Sequence, residues 1–178
     1  MIFLTSDTHF AHNKPFLYTS RGYQRIEDMN KDLIDKWNSV ISPEDTVYHL
    51  GDVMLSNNEE GMACLKQLKG HIHIILGNHD TDARKILFQS IENVEDITYA
   101  DIIKDGKWKF FLSHYPCMVG DINNPKRRWN ISGHTHSTDK FQFKDHLIYN
   151  AAVDAHDGFP ISIEDIKKDI KELMNGRN

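Results

Sequence analysis

Five short apolar runs in this sequence each end in a cluster of histidine, aspartate or asparagine, and this pattern constrains the fold more than any other feature. A short apolar run bounded by turn residues predicts a buried strand. Because functional sites of open α/β sheets assemble at the carboxyl ends of strands, we expect the clusters to meet at one edge. The five clusters are Ser6-Asp7-Thr8-His9, Gly51-Asp52, Gly77-Asn78-His79-Asp80, Ser113-His114 and Ser132-Gly133-His134-Thr135-His136.

Strands and helices are predicted to alternate in the first half of the chain. The apolar runs 1–5, 46–50 and 71–76 predict buried strands. Between and after them, helices are predicted over 27–41, 59–68 and 81–89. Such a βαβαβα order is typical of a sheet with parallel strands.

The second half is predicted to be mainly β. We expect paired strands over 94–104 and 107–113 with a turn at Asp105-Gly106, a strand over 129–132, a hairpin over 141–153, and a closing helix over 161–174 capped by Ser162. With neither a repeat nor a linker, residues 1–178 are predicted to form a single α/β domain. Its expected architecture is a four-layer α/β/β/α sandwich with two central mixed sheets and the site at the C-terminal ends of strands.

Composition excludes several classes of function. No apolar run among the 178 residues is long enough to span a bilayer, so a membrane partner is not expected. The formal net charge of −5 argues against stable nucleic-acid binding, and the oligomeric state is left open. The first residues lack the basic start of a secretory signal. Cys64 and Cys117 have no CxxC spacing, which favours free thiols and a cytoplasmic location.

The residue types in the five clusters predict a metal site. Mixed His, Asp and Asn ligands suit borderline divalent ions such as Mn²⁺, Fe²⁺, Zn²⁺ or Ni²⁺. Asp7 and His9 are two residues apart, so an extended or turn segment can offer both to one ion. His134 and His136 can do the same or serve two adjacent ions. Asp52 has two carboxylate oxygens and can therefore bridge a pair of metals. Glycines at the clusters are expected to let the backbone turn sharply.

The ordered set D-x-H, GD, GNHD, H and GHTH, from Asp7 to His136, resembles the calcineurin-like metallophosphoesterase superfamily. The opening SDTHF followed by VYHLGD is most similar to its small, single-domain bacterial and phage members. The resemblance implies hydrolysis of a phosphodiester or phosphomonoester, on a small or nucleotide substrate, by attack of a metal-bridging hydroxide. It implies two divalent cations, with Mn²⁺ favoured over Fe, Zn, Ni or Mg.

The resemblance also implies a role for each residue of the set. The first metal is expected to be held by Asp7, His9 and His136, and the second by Asn78, His114 and His134, with Asp52 bridging the two. His79 is expected to remain free of the metals and to protonate the leaving alkoxide as a general acid. Asp80 is a candidate for orienting the ligands.

Further residues are candidates for contact with the substrate. His12 follows His9 by three residues, and Arg21, Arg127 and Arg128 are basic residues that could bind a second phosphate. The alternative for each is a surface histidine or a solvated charged loop. His49, within TVYHL, is instead predicted to be a packed strand histidine that hydrogen-bonds a neighbour.

Departures from the family pattern argue against several subfamilies of the superfamily. The run GDVMLSN lacks the Arg that follows GD in protein Ser/Thr phosphatases and dinucleoside-tetraphosphate hydrolases. Leu55 and His9 argue against purple acid phosphatases. Two alternatives to a binuclear enzyme are a mononuclear metal hydrolase and a non-catalytic scaffold of the same fold in a protein assembly. Scaffolds of this fold typically lose ligands or the GNH histidine, whereas this chain keeps all of them.

Overall fold

The computed structural model describes residues 1–119, 128–142 and 147–176. The strands are β1 (Ile2–Thr5), β2 (Thr46–His49), β3 (His71–Ile75), β4 (Val94–Thr98), β5 (Ala100–Asp105), β6 (Trp108–Ser113), β7 (Trp129–Ser132), β8 (Phe141–Gln142), β9 (Ile148–Asn150) and β10 (Ile161–Ser162). The α-helices are α1 (Pro15–Ser20), α2 (Ile26–Val40), α3 (Asn58–Leu65), α4 (Asp82–Phe88) and α5 (Ile163–Asn175).

These strands form two five-stranded mixed sheets. The first sheet has the order β10-β1-β2-β3-β4, in which β1 to β4 are parallel and β10 is antiparallel to β1. The second has the order β5-β6-β7-β9-β8, with β6, β7 and β9 parallel and the two outer strands antiparallel to their neighbours. The predicted α/β sandwich with two central mixed sheets is therefore confirmed.

One hydrophobic core lies between the first sheet and its helices. Met29, Leu33 and Trp37 recur at intervals of four along α2, so they share one face of the helix. This face packs with Phe3 and Val47 of the sheet in one buried cluster. Burying each of these large side chains stabilises the fold by roughly 1.5–3 kcal/mol.

A second core joins the two sheets. Leu4 of β1 and Leu50, which directly follows β2, pack with Phe110 and Leu112 of β6. All four side chains are fully buried. Alternate residues of β1 thus face different cores, because side chains alternate across a strand. Helix α5 closes this core with Ile166.

The chain departs from the predicted elements mainly between the sheets. The single strand predicted over 94–104 is two strands, since β4 pairs with β3 in the first sheet and β5 pairs with β6 in the second. The break at Tyr99 carries the chain from one sheet to the other, and neither Gly nor Pro occurs in 94–104 to mark it in the sequence. The first two residues of the predicted closing helix form β10, and Ser162 caps α5 by accepting from the Asp165 N–H at 3.1 Å, as predicted.

In the part of the chain that the structure describes, none of the helices combines the length and apolar character needed to cross a membrane. Cys64 and Cys117 are both free thiols.

Candidate metal centre

The loops that follow β1, β2, β3, β6 and β7 converge at one edge of the two sheets. The Asp7 N–H donates to the Gly51 carbonyl at 3.0 Å, and the His9 N–H donates to the Asp52 carbonyl at 3.0 Å. These bonds continue the parallel pairing of β1 and β2 beyond the strands, so the first two clusters lie side by side. On the second sheet, the Gly133 N–H donates to the His114 carbonyl at 3.1 Å.

Two buried carboxylates occupy the centre of this edge. Asp7 Oδ2 accepts from the His134 N–H at 2.9 Å, and Asp52 Oδ1 accepts from the His79 N–H at 2.9 Å. Each carboxylate is thereby fixed through one oxygen, while the other points to the imidazoles. Asp7 Oδ1 lies 3.9 Å from His9 Nε2 and 3.9 Å from His136 Nε2. Asp52 Oδ2 lies 3.6 Å from the same His9 nitrogen.

The remaining candidate ligands complete the cluster. His114 Nε2 lies 3.5 Å from Asp52 Oδ2, 2.9 Å from Asn78 Oδ1 and 3.2 Å from His134 Nδ1. On the other side, His9 Nε2 lies 3.3 Å from His136 Nε2. Within the described ranges, two groups of side chains have ligand atoms within 4.8 Å of one another, namely Asp7-His9-His136 and Asp7-Asp52-His114.

This spacing fits bound cations better than a hydrogen-bonded cluster. Most of the oxygen–nitrogen separations exceed hydrogen-bond length, whereas two atoms each about 2.1 Å from one ion are separated by roughly 3–4 Å. Among the described residues, the buried Asp7 Oδ1 has no hydrogen-bond partner. Burial raises the pKa of Asp7. The neighbouring His114 and His136 lower it, but by less than burial raises it. A cation at this point would supply the missing partner, so the donor set fits a metal site.

Burial also keeps His9 in the neutral form that binds metals. Burial, together with the nearby His136, lowers the pKa of His9 to about 2. Burial likewise lowers the pKa of His134. Both imidazoles are therefore available as unprotonated ligands at neutral pH.

Five of the seven candidate ligands have left-handed backbone conformations. The φ angles are 59° at Asp7, 48° at His9, 56° at Asp52, 70° at His134 and 51° at His136. Non-glycine residues in this region cost on the order of 1–2 kcal/mol each, and such strain concentrates at functional sites.

Glycines act here in two different ways. Gly51 has a φ of 95°, so it supplies the expected sharp turn. Gly133 is outside the left-handed region and is instead required for close approach. A Cβ at Gly133 would overlap the Asp7 carboxylate and the Ser6 hydroxyl.

Asp80 holds the loops rather than the imidazoles. Its carboxylate accepts from the N–H groups of Asp52 at 2.7 Å, Gly77 at 2.9 Å and Val53 at 3.1 Å. The buried Asp80 therefore ties the loop after β2 to the loop after β3.

His79 and His12 both lie beside the His9 ring, but only His79 is half-exposed. His79 Nε2 is 4.0 Å from Asp52 Oδ2, and the side chain is 43% exposed, so a substrate can reach it. The His12 ring lies 5.6 Å from the His9 ring. His12 is itself mostly buried, and burial lowers its pKa.

The basic residues proposed to contact the substrate do not all lie at the candidate metal centre. Arg21 lies beside the cluster, but its guanidinium binds Asp154 and the backbone carbonyls of Asp7 and Thr8. Arg128 directly precedes β7, whereas His134 follows that strand, so the rise of about 3.3 Å per residue puts them at opposite ends. Arg127 lies outside the described residues.

Asp154 is a site residue that the sequence reasoning missed. Its Oδ2 lies 3.0 Å from His136 Nδ1, and this contact raises the pKa of His136. Burial alone would raise the pKa of Asp154, but His136 and Arg21 hold it well below its usual range. A signal was present, because Asp154 follows an apolar run in the same manner as the five clusters.

The family model for the calcineurin-like phosphoesterase superfamily domain matches residues 1–152. The chain belongs to this superfamily, as its motifs predicted.

Its relatives extend over nearly the whole chain. Uncharacterized protein MJ1445 of Methanocaldococcus jannaschii is 34% identical over 177 residues, covering 96% of this chain and 92% of that protein. The crystal structure of AQ665, a protein of unknown function from Aquifex aeolicus, matches with a TM-score of 0.73 at 28% identity, over 94% of this chain and 98% of that one. A novel archaeal phosphodiesterase matches with a TM-score of 0.50 at 23% identity, over 84% and 81%, which shows a shared fold alone.

Proposed function

We propose that this protein is a binuclear metal-dependent phosphoesterase. The observation that carries the proposal is the convergence of buried carboxylates and imidazoles at one sheet edge, in a chain of the calcineurin-like superfamily. Among the described residues, the groups Asp7-His9-His136 and Asp7-Asp52-His114 share Asp7 but differ in their other members, which supports two adjacent ions.

The ligand assignment follows the family motif. Asp7, His9 and His136 would hold the first ion, Asn78, His114 and His134 the second, and Asp52 would bridge them. The mixed oxygen and nitrogen donors favour Mn²⁺, with Fe, Zn, Ni or Mg as alternatives. When bound, two such ions would activate the attacking water and neutralise charge on the phosphoryl oxygens.

The protein's own contribution is the leaving-group proton. His79 is held through its backbone, because its N–H donates to Asp52 Oδ1 at 2.9 Å and its carbonyl accepts from Arg84 at 2.5 Å. Its ring stays half-exposed beside the cluster. We assign it as the general acid that protonates the departing alkoxide, a role that contributes about 10²–10⁴-fold.

An exposed aromatic ring supports a nucleotide-like or aryl phosphodiester as the substrate. Tyr115 is 52% exposed, and its ring lies 4.5 Å from the His134 ring and 5.2 Å from the His114 ring. A base or aryl group attached to a phosphoryl group at the second ion would be within reach of this ring. Stacking of this kind stabilises binding by roughly 1–3 kcal/mol per base.

A cytoplasmic location remains a prediction from composition.

Hydrolysis of bis(4-nitrophenyl) phosphate tests the proposal. We expect turnover with Mn²⁺ that a chelator abolishes and that Asp52→Asn reduces by at least about 100-fold, because the bridging charge is lost. Metal counting on purified protein should give near two ions per chain. One ion per chain would favour the mononuclear alternative, and no turnover with any divalent ion would reject the enzyme in favour of a scaffold.

The role of His79 is tested by varying the leaving group. We expect His79→Ala to slow hydrolysis of a dinucleotide, which releases an alkoxide, by about 10²-fold or more. The loss should be smaller for the nitrophenyl ester, because nitrophenolate departs without needing a proton. His71→Ala is the matched control, since that exposed histidine lies at the other end of β3. Equal losses on both substrates would exclude the general-acid role, and the variant should still bind metal.

A further inference from the structure

A buried ion pair lies directly behind the candidate metal centre. Arg21 Nε donates to Asp154 Oδ1 at 2.8 Å, and Arg21 Nη2 donates to Asp154 Oδ2 at 2.8 Å. The two side chains are only 7% and 10% exposed. Paired, two-point geometry of this kind fixes both orientation and distance. Asp154 lies beyond the residues 1–152 that match the family model.

The ion pair contacts both halves of the first metal site. Asp154 Oδ2 lies 3.0 Å from His136 Nδ1, on the second-sheet side. Arg21 Nη2 donates to the carbonyl of Asp7 at 2.8 Å, on the first-sheet side. Arg21 Nη1 donates to the carbonyl of Thr8 at 3.3 Å. The guanidinium therefore binds two successive carbonyls of the turn between Asp7 and His9.

We propose that Asp154 and Arg21 are positioning residues that orient His136 and hold the Asp7–His9 turn for the first metal ion. The inference rests on the proposed metal centre. An Nδ1–H that donates to Asp154 leaves the lone pair of His136 on Nε2, the nitrogen that lies 3.3 Å from His9 Nε2 and 3.9 Å from Asp7 Oδ1. Removing a carboxylate that fixes a ligand imidazole in this way commonly lowers metal affinity by about 10–100-fold.

The backbone gives an independent reason for such a support. Asp7, His9 and His136 all have left-handed φ angles. Strained conformations persist only where surrounding contacts over-determine them. Arg21 supplies such contacts to the first-sheet turn, and Asp154 supplies one to the His136 ring. The ion pair thus contacts the Asp7–His9 turn and the His136 ring at once, as a positioning role requires.

The test measures metal affinity and the His136 tautomer in the full chain. With Mn²⁺ titrated calorimetrically, we expect Asp154→Ala to bind one of the two ions 10–100-fold more weakly while the affinity of the other changes by less than about threefold. Asp154→Asn should lose less, because its amide oxygen can still accept from Nδ1–H. Arg21→Lys should also weaken one ion, since an ammonium cannot reach Asp154 and both carbonyls together.

Asp157→Asn is the matched control, because Asp157 lies exposed on the same loop with a left-handed φ that Asn tolerates. It should bind both ions like the wild type. Long-range ¹H–¹⁵N spectra of the metal-free protein provide a second measurement, in which His136 should carry its proton on Nδ1 in the wild type and lose that preference in Asp154→Ala.

Failure of this inference is distinguishable from failure of the proposed function. If the wild type binds two ions and Asp154→Ala binds both with unchanged affinity, the positioning role is refuted and the metal centre stands. If the wild type binds none, the metal centre fails, and an unchanged His136 tautomer in Asp154→Ala would refute the positioning role separately. Unfolding curves identify any variant that has lost its fold, in which case Arg21→Lys decides.

Discussion

At the scale of single residues, the candidate centre is defined by close approach as much as by ligand type. The loops after β1 and β7 approach so tightly that the Asp7 carboxylate lies where a side chain at Gly133 would begin. The His134 N–H then donates to that carboxylate at 2.9 Å. The Asp7 orientation therefore depends on the absence of a single methyl group at Gly133, which is far from Asp7 in the sequence.

We expect Gly133→Ala to abolish tight Mn²⁺ binding and to lower the free energy of unfolding by about 1–3 kcal/mol, because the added methyl displaces Asp7. Calorimetric titration and urea unfolding measure the two effects. Gly106→Ala is the control, because Gly106 has a φ of 57° but open space around its Cβ position. It should cost about 1 kcal/mol through backbone strain and leave metal binding intact. Normal metal binding by Gly133→Ala would contradict the close-approach argument.

At the scale of elements, β2 supports the site through its last residue. His49 is fully buried, and its Nδ1 accepts from the Gly51 N–H at 3.2 Å. The Thr8 hydroxyl donates to the Val53 carbonyl at 2.8 Å, so it accepts from His49 Nε2–H at 2.9 Å. These bonds require the neutral Nε2–H form, in agreement with the burial that lowers the pKa of His49 to about 3. His49 is thus a packed strand histidine that hydrogen-bonds a neighbour, as predicted.

This histidine makes stability sensitive to acid. The unfolded chain binds the His49 proton below its ordinary pKa of about 6.5, whereas the folded protein resists it until about pH 3. The contribution of neutral His49 to stability is therefore complete above about pH 6.5 and falls by up to about 1.4 kcal/mol per pH unit as the pH drops from there towards 3. Urea unfolding of chelator-treated protein should show a shallower pH dependence for His49→Gln than for the wild type. Parallel curves would contradict this assignment.

At the scale of the whole molecule, the candidate centre joins the two sheets. Asp7, His9, Asp52 and Asn78 come from loops of the first sheet, whereas His114 comes from the second, as do His134 and His136. The metal-free protein must keep two carboxylates and several imidazoles buried together without a cation, which is costly. Bound ions would remove that cost and link the sheets at one edge.

We therefore expect Mn²⁺ to stabilise the folded protein. At a free concentration about 100 times the dissociation constant, each ion should add about 2.7 kcal/mol, because it binds the folded state alone. Thermal unfolding with Mn²⁺ and with a chelator measures the difference. Asp52→Asn, which keeps the shape of the proposed bridging residue but not its charge, should show a much smaller response. Equal melting temperatures in the two conditions would argue against an intact metal centre.

Much of the fold and the contents of the candidate site could be predicted from local patterns. The strands β1, β2, β3 and β7 were predicted because each is a short apolar run ending at a turn. The helix α2 was predicted because Met29, Leu33 and Trp37 share one face. The clusters after the strands were predicted to converge because parallel strands bring their carboxyl ends to one edge. Such features depend on neighbours in sequence, so the sequence carries them directly.

Other features exist only in the tertiary structure. Arg21 and Asp154 are 133 positions apart, and nothing in either local sequence indicates that they pair. The division of residues 94–104 between two sheets at Tyr99 depends on which strands offer free edges, not on local periodicity. The order of residues along the chain thus supplies the side chains that a metal centre would need. The packing of the two sheets fixes how those side chains are oriented, because it brings together loops that are far apart in the sequence.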